Sequence, residues 1–153
     1  MNAAPLHRRW SRLIADCDAK TLYAMVADVE SYPEFVPGCV SARILERQPD
    51  QWTVDNVFGF GPLHNQFLSF AEPDPPNALT IHSSDGPWRA FLIQWRFRPQ
   101  GGGCLLSCEA TLDFRSPLLA AVASLAAAGI ERRVIAAFQS RALRMAKGGS
   151  YDG

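Results

Sequence analysis

A long stretch in which apolar and polar residues alternate one by one constrains this chain more than any other feature. The segment LSCEATLDF (Leu106–Phe114) shows it most clearly, because every second residue is apolar or small and the others are polar. A period of two is that of a β-strand with one buried face. The alternation recurs between residues 40 and 114, and it predicts an antiparallel sheet that is wet on one side.

Turn signals divide the stretch into separate strands. Candidate strands cover residues 7–14, 40–44, 52–60, 64–72, 78–84, 91–98 and 106–114. Glycine, proline, asparagine and aspartate cluster between them, at residues 49–50, 59–62, 73–77, 85–87 and 101–103. In the second strand the pattern places Val40, Ala42 and Ile44 on the apolar face. The result is a meander whose apolar face needs a cover.

The end of the chain supplies a helix long enough to be that cover. Ser116 is a predicted N-cap followed by Pro117, and alanine-rich sequence then runs to Lys147 before two glycines. The apolar stripe changes phase near Gly129, from Leu118, Val122 and Leu125 to Val134, Ile135, Phe138, Ala142 and Met145. Either the helix bends there, or its first part caps an opening while its second part fills the sheet.

A shorter helix precedes the sheet. Asp18 is a predicted N-cap for a helix over Ala19–Asp28. Pro33 and Pro37 interrupt the following segment, which predicts a short helical turn leading into a strand. With the terminal helix, these elements predict an α+β fold in which a curved antiparallel sheet grips a long helix. One domain over residues 1–153 is expected, with an ordered core of about residues 6–147.

Charge and apolar runs indicate the compartment and the class of partner. The formal net charge of the 153 residues is zero, which argues against a protein that binds DNA through bulk electrostatics. Two local basic clusters exist nevertheless: Arg8, Arg9 and Arg12, and Arg132, Arg133, Arg141, Arg144 and Lys147. No signal-peptide pattern or membrane-length apolar run occurs. A cytoplasmic protein is expected, with possible peripheral contact at the inner membrane.

Residue types that carry catalysis are sparse. His7, His64 and His82 show no metal-ligand spacing, and Ser83 in Ser-Ser-Asp lacks the surrounding motif of a hydrolase nucleophile. The four cysteines fit neither zinc nor redox spacing and are expected as free thiols. No catalytic residue, metal site or cofactor is therefore predicted.

Aromatic side chains concentrate on the inward parity of the strands, which fits either a packed core or a cavity for an apolar ligand. Small residues on the same face and on the helix remove volume and favour the cavity. Tyr32 and Phe35, held between two prolines, are expected at its entrance. The predicted ligand-binding residues are Tyr32, Phe35, Phe58, Phe60, Phe67, Trp88, Phe91, Trp95, Cys108, Ala110, Leu112, Val122 and Phe138.

Two blocks of sequence resemble a known family. LYAMVADVESYPEFVPGCVSARIL (Leu22–Leu45) and DGPWRAFLIQWRFRP (Asp85–Pro99) are similar to the signature of the coenzyme Q-binding and ribosome-association-toxin branch of the START-like superfamily, which includes the polyketide cyclase/dehydrase and Bet v 1-like proteins. CEATLDFRSPLL and AAFQSRA resemble its last strand and helix. Gln139 departs from the pattern, since the family usually has an acid there.

The resemblance implies a helix-grip fold and a non-enzymatic domain that binds ubiquinone or another lipid in a central cavity. Two other functions stay open. A regulator directed at the ribosome would use an exposed basic surface, for which the second arginine cluster is the candidate. An aromatase or cyclase would use the same cavity and needs inward polar groups in acid–base roles.

Overall fold

The computed structural model describes residues 4–60 and 63–147, without the side chains of Phe60, Leu63 and Lys147. Within these ranges seven strands form one antiparallel sheet in the order β1-β7-β6-β5-β4-β3-β2. Their bounds are β1 Leu6–Ala15, β2 Cys39–Arg47, β3 Trp52–Phe60, β4 Leu63–Asp74, β5 Ala78–Ser83, β6 Trp88–Gln100 and β7 Gly103–Phe114. Helix α1 covers Ala19–Ala27, a 3₁₀ helix covers Val29–Glu34, and α2 covers Pro117–Lys147. The first and last strands thus pair side by side, while consecutive hairpins build the rest.

Both predicted N-caps form at the starts of their helices. The Asp18 side chain accepts a hydrogen bond from the Thr21 N–H at 2.7 Å, and the Ser116 hydroxyl oxygen accepts one from the Leu119 N–H at 3.2 Å. Each satisfies an N–H that has no partner inside the helix. Helix α2 continues for 31 residues without interruption at Gly129. No helix in the described ranges is long and apolar enough to cross a membrane.

The core lies between the inner face of the sheet, α1 and the second half of α2. Its most deeply buried side chains include Ile14, Leu22, Leu79, Leu106 and Phe138, each at most 2% exposed. Helix α1 packs against β5, β6 and β7 and closes one end of the sheet. The tightly packed core therefore lies at this end of the sheet. The region beneath the first half of α2 is not part of it.

One expectation about an inward face was wrong. Val40 is 50% exposed, while Cys39 and Ala42 are buried, because the β2–β3 register shifts between Cys39 and Ser41. Such a bulge turns the residues before it to the opposite face. In the early stripe of α2, Leu118 and Leu125 face solvent, at 74% and 89% exposed. Small residues, rather than this stripe, face the sheet in the first half of α2.

Candidate functional site

An inner chamber of about 280 Å³ lies between the concave face of the sheet and the middle of α2. Strands β1 and β3–β7 supply its walls, and α2 supplies Ala123, Ala127, Ile130, Val134 and Phe138. The walls are almost entirely apolar. The chamber exists because α2 presents alanines where it crosses the sheet. Their short side chains do not fill the space over the concave face.

An outer chamber of about 300 Å³ adjoins it towards the start of α2. The two chambers share the side chains of Phe58, Phe67, Phe91, Ala123 and Ile130. The other residues that line the outer chamber are Asn65, Pro87, Trp88, Phe114, Leu119, Val122 and Ala126. Together the chambers have the size of a typical small-molecule site.

Most of the predicted ligand-binding residues meet in these chambers. The inner chamber is lined by Tyr32, Phe58, Phe67, Phe91, Trp95, Cys108, Ala110 and Phe138. Trp88 and Val122 line the outer chamber only. Phe35 and Leu112 line neither, and the side chain of Phe60 lies outside the described part of the chain. Leu112 is half-buried at the position where β7 pairs with Leu6 and Phe91.

The turn Asp85–Gly86–Pro87 positions Trp88 at the wall of the outer chamber. The Asp85 carboxylate accepts a hydrogen bond from the Leu68 N–H at 2.8 Å, which ties the turn to β4. Gly86 has φ +62°, and a Cβ there would lie 2.9 Å from the Gln66 carbonyl oxygen. Only glycine fits both the conformation and the space. The turn therefore holds Trp88 against Phe67, Phe91 and Phe114.

Tyr32 and Phe35 close one end of the inner chamber rather than forming a mouth. Their rings and that of Phe138 pack edge to face, with centroids 5.1–5.8 Å apart. The Tyr32 hydroxyl donates to the Val26 carbonyl oxygen at 2.5 Å. The guanidinium of Arg141 lies 4.9 Å from the centre of the Phe35 ring. These contacts are those of a structural plug at this end of the inner chamber.

Burial keeps two ionisable side chains of the inner chamber neutral. Desolvation raises the pKa of the Cys108 thiol to about 12. It also raises the pKa of the Tyr32 phenol well above its ordinary value. Since the charged forms lack solvation in an apolar site, both groups act as uncharged wall atoms at neutral pH.

Four polar residues of the inner chamber were missed from the sequence. Asn56 and Ser69 lie on the inward parity of β3 and β4, and Arg8 and Glu131 face each other from β1 and α2. The Asn56 amide nitrogen donates to the carbonyl oxygens of Val54 and Phe67, both at 3.2 Å, and lies 2.9 Å from the Ser69 hydroxyl. Asn56 shares the inward parity of Val54 and Phe58 in β3, so the sequence could have indicated that its side chain faces the chamber. Nothing in the local sequence pairs Arg8 with Glu131.

The second arginine cluster does not form one exposed surface. Arg132, Arg133 and Arg144 are exposed, whereas the Arg141 side chain is only 17% exposed and pairs with Glu34 at 3.9 Å. Arg141 thus belongs to the plug around Phe35. Among the described side chains of α2, the exposed members of the cluster are the other three arginines, and the side chain of Lys147 lies outside the described part of the chain.

Other candidate catalytic groups lie away from the chambers. His7 and His82 pair with Glu109 and Glu72 at 3.2 and 3.0 Å, and all four side chains are well exposed. The Ser83 hydroxyl donates to the Leu68 carbonyl oxygen at 2.5 Å and serves the turn. All four cysteines are buried and free, as predicted.

Proteins of similar sequence include two groups with different names. One comprises ribosome association toxins, represented by RatA of Escherichia coli, which is 28% identical over 66% of this chain and 65% of its own length. The other comprises mitochondrial coenzyme Q-binding proteins, represented by COQ10 of Drosophila melanogaster, which is 28% identical over 68% of this chain and 45% of its own length. The chain thus matches less than two thirds of either relative.

Solved structures share the fold at low sequence identity. An 18 kDa protein of Caulobacter crescentus has a TM-score of 0.76 at 23% identity and covers 94% of this chain and 99% of its own. The ZhuI aromatase/cyclase of Streptomyces sp. R1128 has a TM-score of 0.77 at 17% identity and covers 92% and 95%. A START superfamily protein of Mycobacterium smegmatis has a TM-score of 0.74 at 16% identity, with coverage of 94% and 99%. The predicted helix-grip fold is confirmed.

A family model described as polyketide cyclase/dehydrase and lipid transport matches residues 16–139, which include β2–β7 and most of α2. These elements enclose most of the two chambers. The chain therefore belongs to the polyketide cyclase/dehydrase and lipid transport family of START-like proteins.

Proposed function

We propose that this protein binds ubiquinone or a similar lipid in its two chambers and carries it without chemical change. The observation that supports this most is the inner chamber of about 280 Å³, whose walls are almost wholly apolar and which adjoins a second apolar chamber. A tightly packed interior would leave few voids larger than a water molecule. The names of the coenzyme Q-binding relatives support the chemical class that we propose for the ligand.

The driving force for binding would be removal of apolar ligand surface from water. Each Å² of such surface contributes about 25 cal/mol when it is buried. Phe58, Phe67 and Phe91 face both chambers, so a ring in the inner chamber and the start of a chain in the outer one would contact the same aromatic wall. The polar groups of Asn56 and Ser69 would orient the ring.

Entry would occur beneath the first half of α2. Leu119, Val122 and Ala123 line the outer chamber from this segment, while Leu118 and Leu125 are exposed beside it. Transient insertion of these leucines into a membrane surface would bring the opening to the lipid. Arg132 and Arg133 would face anionic headgroups, each contributing about 1 kcal/mol. We propose accordingly that the protein works in the cytoplasm, peripheral to the inner membrane.

Two measurements test the proposal. Mass spectrometry of organic extracts from purified protein should show an isoprenoid quinone or comparable lipid in stoichiometric amounts. Titration with decylubiquinone should quench the fluorescence of Trp10 and Trp95, which both line the inner chamber. Protein that extracts without lipid and also shows no saturable quenching would refute the carrier function.

Action on the ribosome is the second candidate, favoured by the toxin relatives and by the exposed Arg132, Arg133 and Arg144. Co-sedimentation with ribosomal subunits tests it. Replacing the three arginines with glutamine should abolish co-sedimentation and leave decylubiquinone binding intact. If the wild-type protein does not co-sediment at low salt, this candidate is wrong. For an aromatase-like reaction, the charged groups available among the described residues of the chambers are Arg8 and Glu131, which are paired with each other.

A further inference from the structure

A charged pair is built into the apolar inner chamber. Among the described residues that line either chamber, Arg8 and Glu131 are the charged ones. An Arg8 Nη2 hydrogen donates to Glu131 Oε2, and the two side chains are 37% and 19% exposed. Arg8 comes from the edge strand β1 and Glu131 from α2, 123 residues apart in sequence. The pair therefore lies where the helix meets the sheet edge.

The pair is incompletely satisfied. The Arg8 Nε atom is closed to solvent and has no hydrogen-bond partner among the described residues. Only the Nη2 atom of Arg8 and the Oε2 atom of Glu131 are engaged in the bond between them. A guanidinium has five N–H donors and a carboxylate accepts at both oxygens. Because Nε is covered by protein atoms, the spare groups that the pair can offer to the chamber are the remaining Nη hydrogens of Arg8 and the Oε1 atom of Glu131, and the pair carries no net charge.

We infer that the Arg8–Glu131 pair selects the electrical charge of the ligand's polar group: it accepts a neutral carbonyl or hydroxyl oxygen and rejects carboxylates. This rests on the proposed function, and it names the polar chemistry of the ligand. A neutral oxygen accepts from Arg8 without disturbing the ion pair. A carboxylate would add a second negative charge beside Glu131 in an apolar chamber, where poor solvation makes like charges repel strongly.

The test compares two twelve-carbon probes that differ in charge, 1-dodecanol and dodecanoate, at pH 8. The wild-type protein should bind 1-dodecanol at least tenfold more tightly. Glu131→Gln leaves Arg8 as an unpaired cation, so dodecanoate binding should strengthen at least tenfold while 1-dodecanol binding changes less than threefold. Arg8→Gln leaves Glu131 unpaired, so the preference for 1-dodecanol should increase.

Asp113→Asn is the matched control, because it removes the acid of another arginine–carboxylate pair, with Arg89 at 3.6 Å, away from the chambers. The two test variants should move the preference in opposite directions, so either one tests the inference by itself, provided that it folds. A thermal melt shows which variants are folded. An unchanged preference in a folded test variant, or an equal change in the control, overturns the inference.

Decylubiquinone separates this inference from the proposed function. If it binds the wild type and the charge preference does not respond to the variants, the selection by Arg8 and Glu131 is wrong and the carrier function stands. If neither decylubiquinone nor 1-dodecanol binds, the carrier function fails and the inference fails with it.

Discussion

Filling the inner chamber from the helix side should stabilise the protein and block the ligand. Ala127 is 9% exposed and lines the inner chamber from α2. Ala127→Leu adds three carbon atoms to a space that is already present. At about 0.8 kcal/mol for each buried carbon, the gain is up to about 2 kcal/mol. For a domain of this size that is roughly a 4–8 °C rise in Tm. Decylubiquinone affinity should fall at least tenfold because the leucine occupies ligand volume.

The sign of the stability change distinguishes a cavity from a packed core. In a packed core, extra carbons cost about 1–3 kcal/mol. Ala128→Leu is the control, since Ala128 is the next residue on α2 and is exposed. It should leave both Tm and decylubiquinone affinity nearly unchanged. Thermal denaturation followed by circular dichroism and fluorescence titration give the two quantities. A lower Tm for Ala127→Leu with unchanged affinity would refute the assignment of the chamber as the binding site.

Three further predictions follow from the plug, the buried thiol and the helix. Tyr32→Phe removes the hydrogen bond to Val26, so unfolding free energy should fall by about 1 kcal/mol in chemical denaturation; no loss would contradict the plug assignment. The pKa of Cys108 rises from 9.0 to about 12, so between these values the native thiol keeps a proton that the unfolded chain loses. Stability should therefore fall as pH rises above 9, by up to about 1.4 kcal/mol per unit. Cys108→Ala should lose less unfolding free energy than the wild type between pH 8 and pH 10. Equal losses in the two proteins would show that the thiol is not the cause. In α2, amide hydrogen exchange should be faster at residues 126–130, around the glycine and above the chambers, than at residues 134–138; uniform protection would contradict this.

Most of the architecture was predictable from local sequence. The alternation in β7, the cap at Asp18 and the Ser116–Pro117 start of α2 each report a backbone geometry that neighbouring residues enforce. Val40 shows where such reasoning stops. A one-residue shift in strand pairing reverses the face that a side chain occupies, and the shift depends on the partner strand.

Tertiary structure alone decided whether the inward face is a core or a cavity. Strand parity determines that Trp95 and Cys108 point towards the helix, but not how far from it they lie. Whether a cavity remains depends on the spacing between the sheet and α2, which are far apart in sequence. For the same reason the sequence did not show that the apolar side chains of Leu118 and Leu125 are exposed to solvent. The pairing of Arg8 with Glu131 depends on α2 crossing the edge strand, 123 residues later in the chain. The sequence by itself therefore determined the fold and the aromatic wall, while packing between distant segments decided the volume and the polarity of the site.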